Sequence, residues 1–315
     1  MLVSIVIPTI GRFDSLARLL ESFVSQIRSA DEIVIIDQSV DGWKEREAWQ
    51  KKLPIVYVHT DVRSLPKARN IGVAKSRGDI VGFLDDDIVL SPTYIQQLHS
   101  FFETHPEALG VQGVIENFID GHAQKVGSTF LYSVYARVSR FFCLNTAGKE
   151  NKIFLSGRNC YAVNPTYVLA SQWLSGIGNY RRSVFETHSF DEFLVGYALG
   201  EDKMFSYGIY RQQRQSLFTD PSVKCSHYHA SGGRPEQREW TRMKVYYTFY
   251  FWYTYFAHMP VAHLVFWWAN MWDVVLSGIA VLLGRQSYRV WFWQVVYYIQ
   301  ILVQGKQVIN RYICR

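Results

Sequence analysis

Three consecutive carboxylates, Asp85, Asp86 and Asp87, follow directly on the apolar run Ile80 to Leu84. Adjacent carboxylates repel one another unless a cation neutralises them, and oxygen-rich clusters favour Mg²⁺ or Mn²⁺. Such an ion can bridge a diphosphate and stabilise the charge that develops as it leaves. The competing use of the same residues is a solvated acidic turn ahead of the next helix; a place at the end of a buried strand favours the metal. A second acidic group is Gly200-Glu201-Asp202-Lys203. Taken alone, a Glu-Asp pair at a helix start is a cap that complements the helix dipole. The other chemistry open to it is to take a proton from an attacking hydroxyl. A third group is Cys225-Ser226-His227-Tyr228-His229, which on a strand would put Cys225, His227 and His229 on one face. One strand rarely supplies three tetrahedral ligands, so a zinc-type site is disfavoured there. The following Ser231-Gly232-Gly233-Arg234 reads as a loop able to close over phosphates, with Arg234 supplying charge.

These groups need elements to position them. Val3 to Pro8, Ile33 to Asp37, Ile55 to His59 and Ile80 to Leu84 read as short buried strands. Between them lie a helical spacing in Leu16, Leu19, Leu20, Phe23, Val24 and Ile27, a polar helix from Trp43 to Lys52, and a helix from Pro66 to about Ser76. This alternation predicts a parallel α/β sheet. Open parallel sheets bind ligands beyond the carboxyl ends of their strands. Here those ends carry Thr9-Ile10-Gly11-Arg12, Asp37-Gln38-Ser39, Thr60 to Arg63 and the three aspartates. Residues 109 to 225 are mixed, with a strand and turn expected at Ile153 to Arg158 and a helix around Asp191 to Tyr207.

Composition separates the C-terminal part. Of 315 residues 49% are hydrophobic and 16% aromatic, enough for a sizeable core, and most of the aromatic excess lies after residue 240. Residues 1–180 carry 18 basic and 18 acidic side chains, so the whole net charge of +6 belongs to the remainder. Residues 245–283 hold one formal charge, Asp273, and basic residues flank the stretch on both sides at Arg238, Arg242, Lys244, Arg285 and Arg289. A single crossing would put one basic cluster on the wrong face of a membrane. The pattern therefore predicts a re-entrant or interfacial helical pair on anionic headgroups, against the alternatives of a spanning hairpin and an oligomer interface. Nucleic acid is disfavoured, because the basic residues flank an apolar block. Four cysteines without a CxxC pair indicate neither a zinc knuckle nor a disulfide framework. The N-terminus does not read as a signal peptide, and the expected location is the cytoplasmic face of the cell membrane.

The blocks Ser4-Ile5-Val6-Ile7-Pro8-Thr9, Ile33-Val34-Ile35-Ile36-Asp37, Ala68-Arg69-Asn70-Ile71-Gly72 and Gly78 to Asp87 stand in an order that resembles the nucleotide-sugar domain of family 2 glycosyltransferases with the GT-A fold. The resemblance is close over residues 1–90 and looser to about 230. It implies that Pro8 and Thr9 line a nucleotide pocket and that Asp37 accepts a hydrogen bond from the base. Gln38 stands where the family has a second acidic residue, which leaves the base open. Arg69 would reach the diphosphate or base, Asp85 the ribose and Asp87 the metal, with Asp86 the ambiguous middle member of a DxD-type motif. Arg12 and Lys67 are phosphate candidates by charge. Asp202 would match the acceptor-side base, with Glu201 positioning it or sharing the role. His227 or His229 could match the late histidine on metal or diphosphate, and Ser156-Gly157-Arg158-Asn159 a loop near the donor sugar or acceptor.

Absences narrow the class. No QxxRW favours single addition over polymerisation, no GxGxxG follows the first strand, and no GxxxxGK[ST] occurs. The expectation is a GT-A transferase domain over 1–235 (1–110 nucleotide-binding, 111–235 acceptor part) and a helical membrane-associated or oligomerisation region over 236–315. The resemblance implies an inverting, Mn²⁺- or Mg²⁺-dependent enzyme taking a nucleoside-diphosphate sugar to a glycan or lipid-linked acceptor. A homo-oligomer is an open option. The competitors are a non-catalytic scaffold subunit and a nucleotidyltransferase, of whose Gly-rich loop Thr9-Ile10-Gly11-Arg12 supplies only a fragment.

Overall fold

The computed structural model describes residues 1–117, 134, 137–230, 232 and 235–313. Ser231, Gly233, Arg234 and Cys314 lie outside the described residues, and with them the expected phosphate loop and its arginine. The chain forms two compact units. The first comprises Met1–Lys125, Val163–Glu192 and Glu201–Gly233, the second Val126–Ala162, Phe193–Gly200 and Arg234–Arg315.

The first unit is built on β1 (Val3–Thr9), β2 (Glu32–Asp37), β3 (Ile55–His59) and β4 (Ile80–Phe83), paired in parallel in the order β4-β1-β2-β3. All residues of β1 and β2 are buried, as strands covered on both faces must be. Alternation sorts their side chains: Ile5, Ile7, Ile33 and Ile35 join one core, Val6, Val34 and Ile36 the other. The first core is closed by α1 (Phe13–Val24) and α4 (Tyr94–Thr104), the second by α3 (Leu65–Lys75) and α5 (Glu201–Gln212). The sheet continues through β11 (Gly178–Arg181), β6 (Gly110–Ile115), β12 (Leu217–His227) and β10 (Leu169–Ala170), while β5 (Ile88–Leu90) pairs with β12. β5, β10 and β11 run against the other six strands, giving the mixed, mostly parallel sheet expected.

Three expectations shift. The first helix begins at Phe13 and ends at Val24, short of Ile27. The helix expected over Trp43 to Lys52 shrinks to α2 (Arg46–Gln50), which buries no residue fully and packs against the core only through the partly buried Trp49, too little to sustain a longer helix. The helix expected around Asp191 to Tyr207 starts only at Glu201, because Gly196, Ala198 and Gly200 have φ of +66°, +50° and +89°. A right-handed helix cannot pass through such residues.

The second unit holds a small sheet of β7 (Thr146–Gly148), β9 (Asn159–Ala162) and β8 (Lys152–Ile153) and three long helices. The expected turn closes at Phe154–Arg158, where the Phe154 N–H donates to the Arg158 carbonyl at 2.8 Å. α6 (Gln237–Phe256) buries Tyr246, Tyr247, Phe249, Phe251, Trp252 and Phe256. Pro260, which divides the apolar stretch, opens α7 (Pro260–Leu282), a position that needs no N–H; α8 (Tyr288–Gln304) follows. Among the described residues α7 alone is long and apolar enough, at 23 residues and a mean hydropathy of 1.5, to cross a membrane by that measure. Its exposed side carries Val261, Leu264, Trp268, Met271, Val275, Ile279 and Leu282.

Candidate active site

The three aspartates leave β4 and turn in three directions. Asp86 is fully buried and accepts from Thr9 Oγ1 at 2.7 Å and from Arg12 Nε at 3.1 Å, with Arg12 Nη2 2.6 Å from its other oxygen. Burial raises its pKa to about 7, against the opposing effects of Arg12 and Thr9. Thr9 and Arg12, both at the end of β1, are therefore committed to Asp86. Pro8 lies buried inside β1, opposite Ile36 of β2.

Asp87 meets the far end of the sheet. Its Oδ1 is 2.9 Å from His227 Nε2, its Oδ2 accepts from the Ala230 N–H at 3.1 Å, and its carbonyl accepts from the Tyr228 N–H at 2.9 Å. Burial opposes ionisation of Asp87, but the bonds from His227 and Ala230 and the nearby charges of His227 and Arg12 outweigh it and hold its pKa at about 2. His229 stacks edge-on against His227 with ring centroids 4.2 Å apart. One ligand atom from each of Asp87, His227 and His229 can be chosen so that all lie within 4.8 Å of one another. A carboxylate and two imidazoles on one side suit a divalent first-row ion, with its remaining positions left for another ligand's oxygens. Cys225, expected on the same face, is instead 1% exposed in the core and outside this cluster.

Asp85 remains partly open, its side chain 37% exposed, with Arg69 Nη2 3.4 Å away. Arg69 stands between Asp85 and Glu201. It is 2% exposed, lies against the rings of Phe83 and Phe190 at 5.5 and 5.3 Å, and places Nη1 2.6 Å from Glu201 Oε1. Its Nη2 also donates to the Gly176 carbonyl at 3.3 Å. Asn70 secures Phe190 from the same helix, accepting from its N–H and donating to its carbonyl, each at 2.9 Å. Glu201 is thus held at both ends, by Arg69 and by the Asp202 N–H at 2.7 Å. Asp202, by contrast, is only half-buried and accepts from the Lys203 N–H through Oδ1. Burial raises the pKa of both carboxyls, and Arg69 is the chief opposing charge.

Asp37 ends β2 fully buried, with Oδ1 accepting from the Ser39 N–H and hydroxyl at 2.9 and 2.5 Å and Oδ2 from the Tyr57 hydroxyl at 2.7 Å. Three of its acceptor positions are thereby taken by the protein itself. Gln38 accepts from the Ser64 N–H at 2.8 Å and so fixes the start of α3. Lys67 stands 3.9 Å from Glu192. Arg158 belongs to the second unit, where it lies 2.8 Å from Asp273. The clamp on Asp86, the aromatic seat of Arg69 and the role of Asn70 were not legible as such; only the placement of Arg69 and Asn70 in one motif block hinted at the last two.

The sequence pattern of Glycosyl transferase family 2 matches residues 4–162, just over half of the chain. The chain belongs to this family. An uncharacterised glycosyltransferase of Bacillus subtilis, YwdF, is 33% identical over 105 residues, 33% of this chain and 39% of its own length. The glucosyl-dolichyl phosphate glucuronosyltransferase of Haloferax volcanii is 28% identical over 123 residues, 36% of this chain and 38% of its own length. This chain therefore matches under two-fifths of either relative. S. aureus TarS 1–349 in complex with UDP-GlcNAc has the same fold, with a TM-score of 0.54 at 14% identity over 84% of this chain and 70% of that one.

Proposed function

We propose that this protein is a metal-dependent, inverting glycosyltransferase that moves one sugar from a nucleoside-diphosphate sugar to a glycan or lipid-linked acceptor in surface polysaccharide synthesis. The observation that carries the reading is the division of labour among adjacent carboxylates. Asp87 faces two histidines, Asp85 stays open, and Arg69 links Asp85 to the Glu201–Asp202 pair. Family membership and the complexes named for TarS, with UDP-GlcNAc bound, support a nucleotide-sugar donor.

Asp87, His227 and His229 would hold the divalent ion, and the imidazoles favour Mn²⁺ over Mg²⁺. When bound, the ion supplies charge to neutralise the departing diphosphate. Asp85 is the open acceptor for a ribose hydroxyl. Thr9 and Arg12 act on the nucleotide through Asp86, which they fix, and Arg12 Nη1, 3.6 Å from Asp87, adds positive charge on the phosphate side. Asp37 reaches the base by exchanging the Tyr57 hydroxyl for a ring N–H. Asp202 takes the proton of the acceptor hydroxyl as its oxygen bonds to the anomeric carbon. The bond from that carbon to the diphosphate oxygen breaks on the opposite side, which inverts the centre. Glu201 and Arg69 position Asp202.

Residues 1–235 form the transferase part in this reading, and 236–315 the part that meets a membrane surface on its cytoplasmic side or a second copy. The exposed apolar side of α7 supports the membrane, as does the dolichyl phosphate acceptor named for the Haloferax relative. The test offers UDP-, GDP-, dTDP- and CDP-sugars with Mn²⁺ to the full chain in the presence of a bacterial lipid extract. Transfer from one donor, with inverted configuration in the product and loss in Asp202→Asn, is expected. Transfer that survives in Asp202→Asn contradicts the assignment.

A further inference from the structure

The second unit contains a groove of about 870 Å³, within the range of small-molecule sites. Leu264, Trp268, Met271 and Val275 of α7 and Leu302 of α8 line it, and all five are more than one-third exposed. The four from α7 belong to the exposed side of the one helix, among the described residues, with the length and hydropathy of a membrane segment. Two polar residues interrupt the lining, Asn270 and Tyr298.

Both belong to a buried charged hub. Arg158 Nη2 donates to Asn270 Oδ1 and Asp273 Oδ2 at 2.8 Å and to the Tyr298 hydroxyl at 2.9 Å. Gln294 Nε2 donates to Asp273 Oδ2 at 2.7 Å, and Lys244 Nζ is 3.3 Å from the same oxygen. One carboxylate thus faces two cations, leaving the hub with an excess positive charge beside an apolar groove. Two of its donors have no partner among the described residues: Arg158 Nε and Asn270 Nδ2, in residues 4% and 2% exposed. Buried donors without acceptors are rare and mark a missing ligand or water. A hydrocarbon alone would answer the groove but not the donors, and an ion alone would answer the donors but not the groove.

We infer that this groove binds a single-chain lipid phosphate, its hydrocarbon against α7 and α8 and its phosphate at Asn270 and Tyr298, the polar residues of the lining, beside Arg158. The inference rests on the lipid-linked reading of the acceptor and assigns that lipid a place. A flat bilayer surface leaves such a concavity unfilled, and a second copy of the chain would have to bring an anion to the same point.

The full chain is titrated calorimetrically with octyl phosphate below its micellar concentration, with octanol and with inorganic phosphate; nucleoside-diphosphate binding is measured on the same samples. Saturable binding of octyl phosphate at least tenfold tighter than of either other probe is expected. Met271→Trp, which fills the groove from an exposed position, should weaken it at least tenfold, and Asn270→Leu should reduce octyl phosphate to the level of octanol. An unchanged helical circular dichroism spectrum and thermal unfolding profile show the second unit of each variant to be folded, and retained nucleotide binding shows the first. Equal affinity for octyl phosphate and octanol overturns the inference, as does unchanged binding in Met271→Trp. So does partition into phosphatidylglycerol vesicles without binding of the soluble probe, or a dimer that Met271→Trp dissociates. Loss of lipid binding with nucleotide binding intact would leave the transferase reading standing.

Discussion

Asp85, Asp86 and Asp87 show how far burial can separate the behaviour of neighbouring identical side chains. Asp86 is pushed up to about 7 because its burial outweighs the opposing pull of Arg12 and Thr9, while Asp87 is held at about 2 because the bonds from His227 and the Ala230 N–H outweigh its burial. The Glu201–Asp202 pair divides in the same way: Glu201 is locked by Arg69 and the Asp202 N–H, and half-buried Asp202, the proposed base, accepts from the Lys203 N–H through Oδ1. Replacing Asp202 by Asn should lower kcat by about 10²- to 10⁴-fold, the usual worth of a positioned base. Glu201→Gln should act through pH. Asp202 works ionised, its pKa is raised, and activity therefore falls as pH drops through that raised value. Glu201→Gln weakens the nearest pairing of Arg69 and leaves that cation to Asp202, so the acid limb of kcat/KM should move to lower pH; an unmoved limb denies Glu201 its positioning role. The sequence made the carboxylates legible through their clustering and order. It left illegible that Arg69 is buried between two rings, since one of those rings, Phe190, is brought in by Asn70 from 120 residues away.

Strands β1 to β4 were legible to within a residue because β1, β2 and β4, buried on both faces, and the β-branched edge strand β3 leave short apolar runs with polar ends. α5 was not, because its start is set by backbone conformation at Gly196, Ala198 and Gly200, which residue type signals weakly for alanine. That start matters, for it places Glu201 and Asp202 in the first turn. α3 is set by contact. A Cβ on Gly72 would sit 2.2 Å from Val6 Cγ1, so the helix that carries Arg69 lies against β1 with no room to spare. Gly72→Ala should cost about 1–3 kcal/mol through overpacking, read as a lower urea midpoint. Val6→Ala in the same chain should recover part of it, since the two sites are in contact. A midpoint equal to that of the unsubstituted chain would show that α3 is free to shift.

On the scale of the whole molecule, charge and aromatic content marked the C-terminal region, but not that residues 126–162 and 193–200 join its unit. Composition cannot report a contact between distant segments such as Arg158 and Asp273. If the exposed side of α7 meets lipid, Ile279→Glu with Leu282→Glu, both outside the groove, should reduce flotation of the full chain with phosphatidylglycerol vesicles several-fold; unchanged flotation would place the membrane contact elsewhere. The central claim is that Asp87 and its two histidines serve a nucleoside diphosphate through a divalent ion. Calorimetric titration with UDP, GDP, dTDP and CDP, each with and without Mn²⁺, on the full chain and on Asp87→Asn, tests it most directly. Binding of one nucleotide that requires Mn²⁺ and is lost in Asp87→Asn is the predicted result. Binding of none, or binding indifferent to both Mn²⁺ and Asp87, would contradict it and leave the fold as a scaffold.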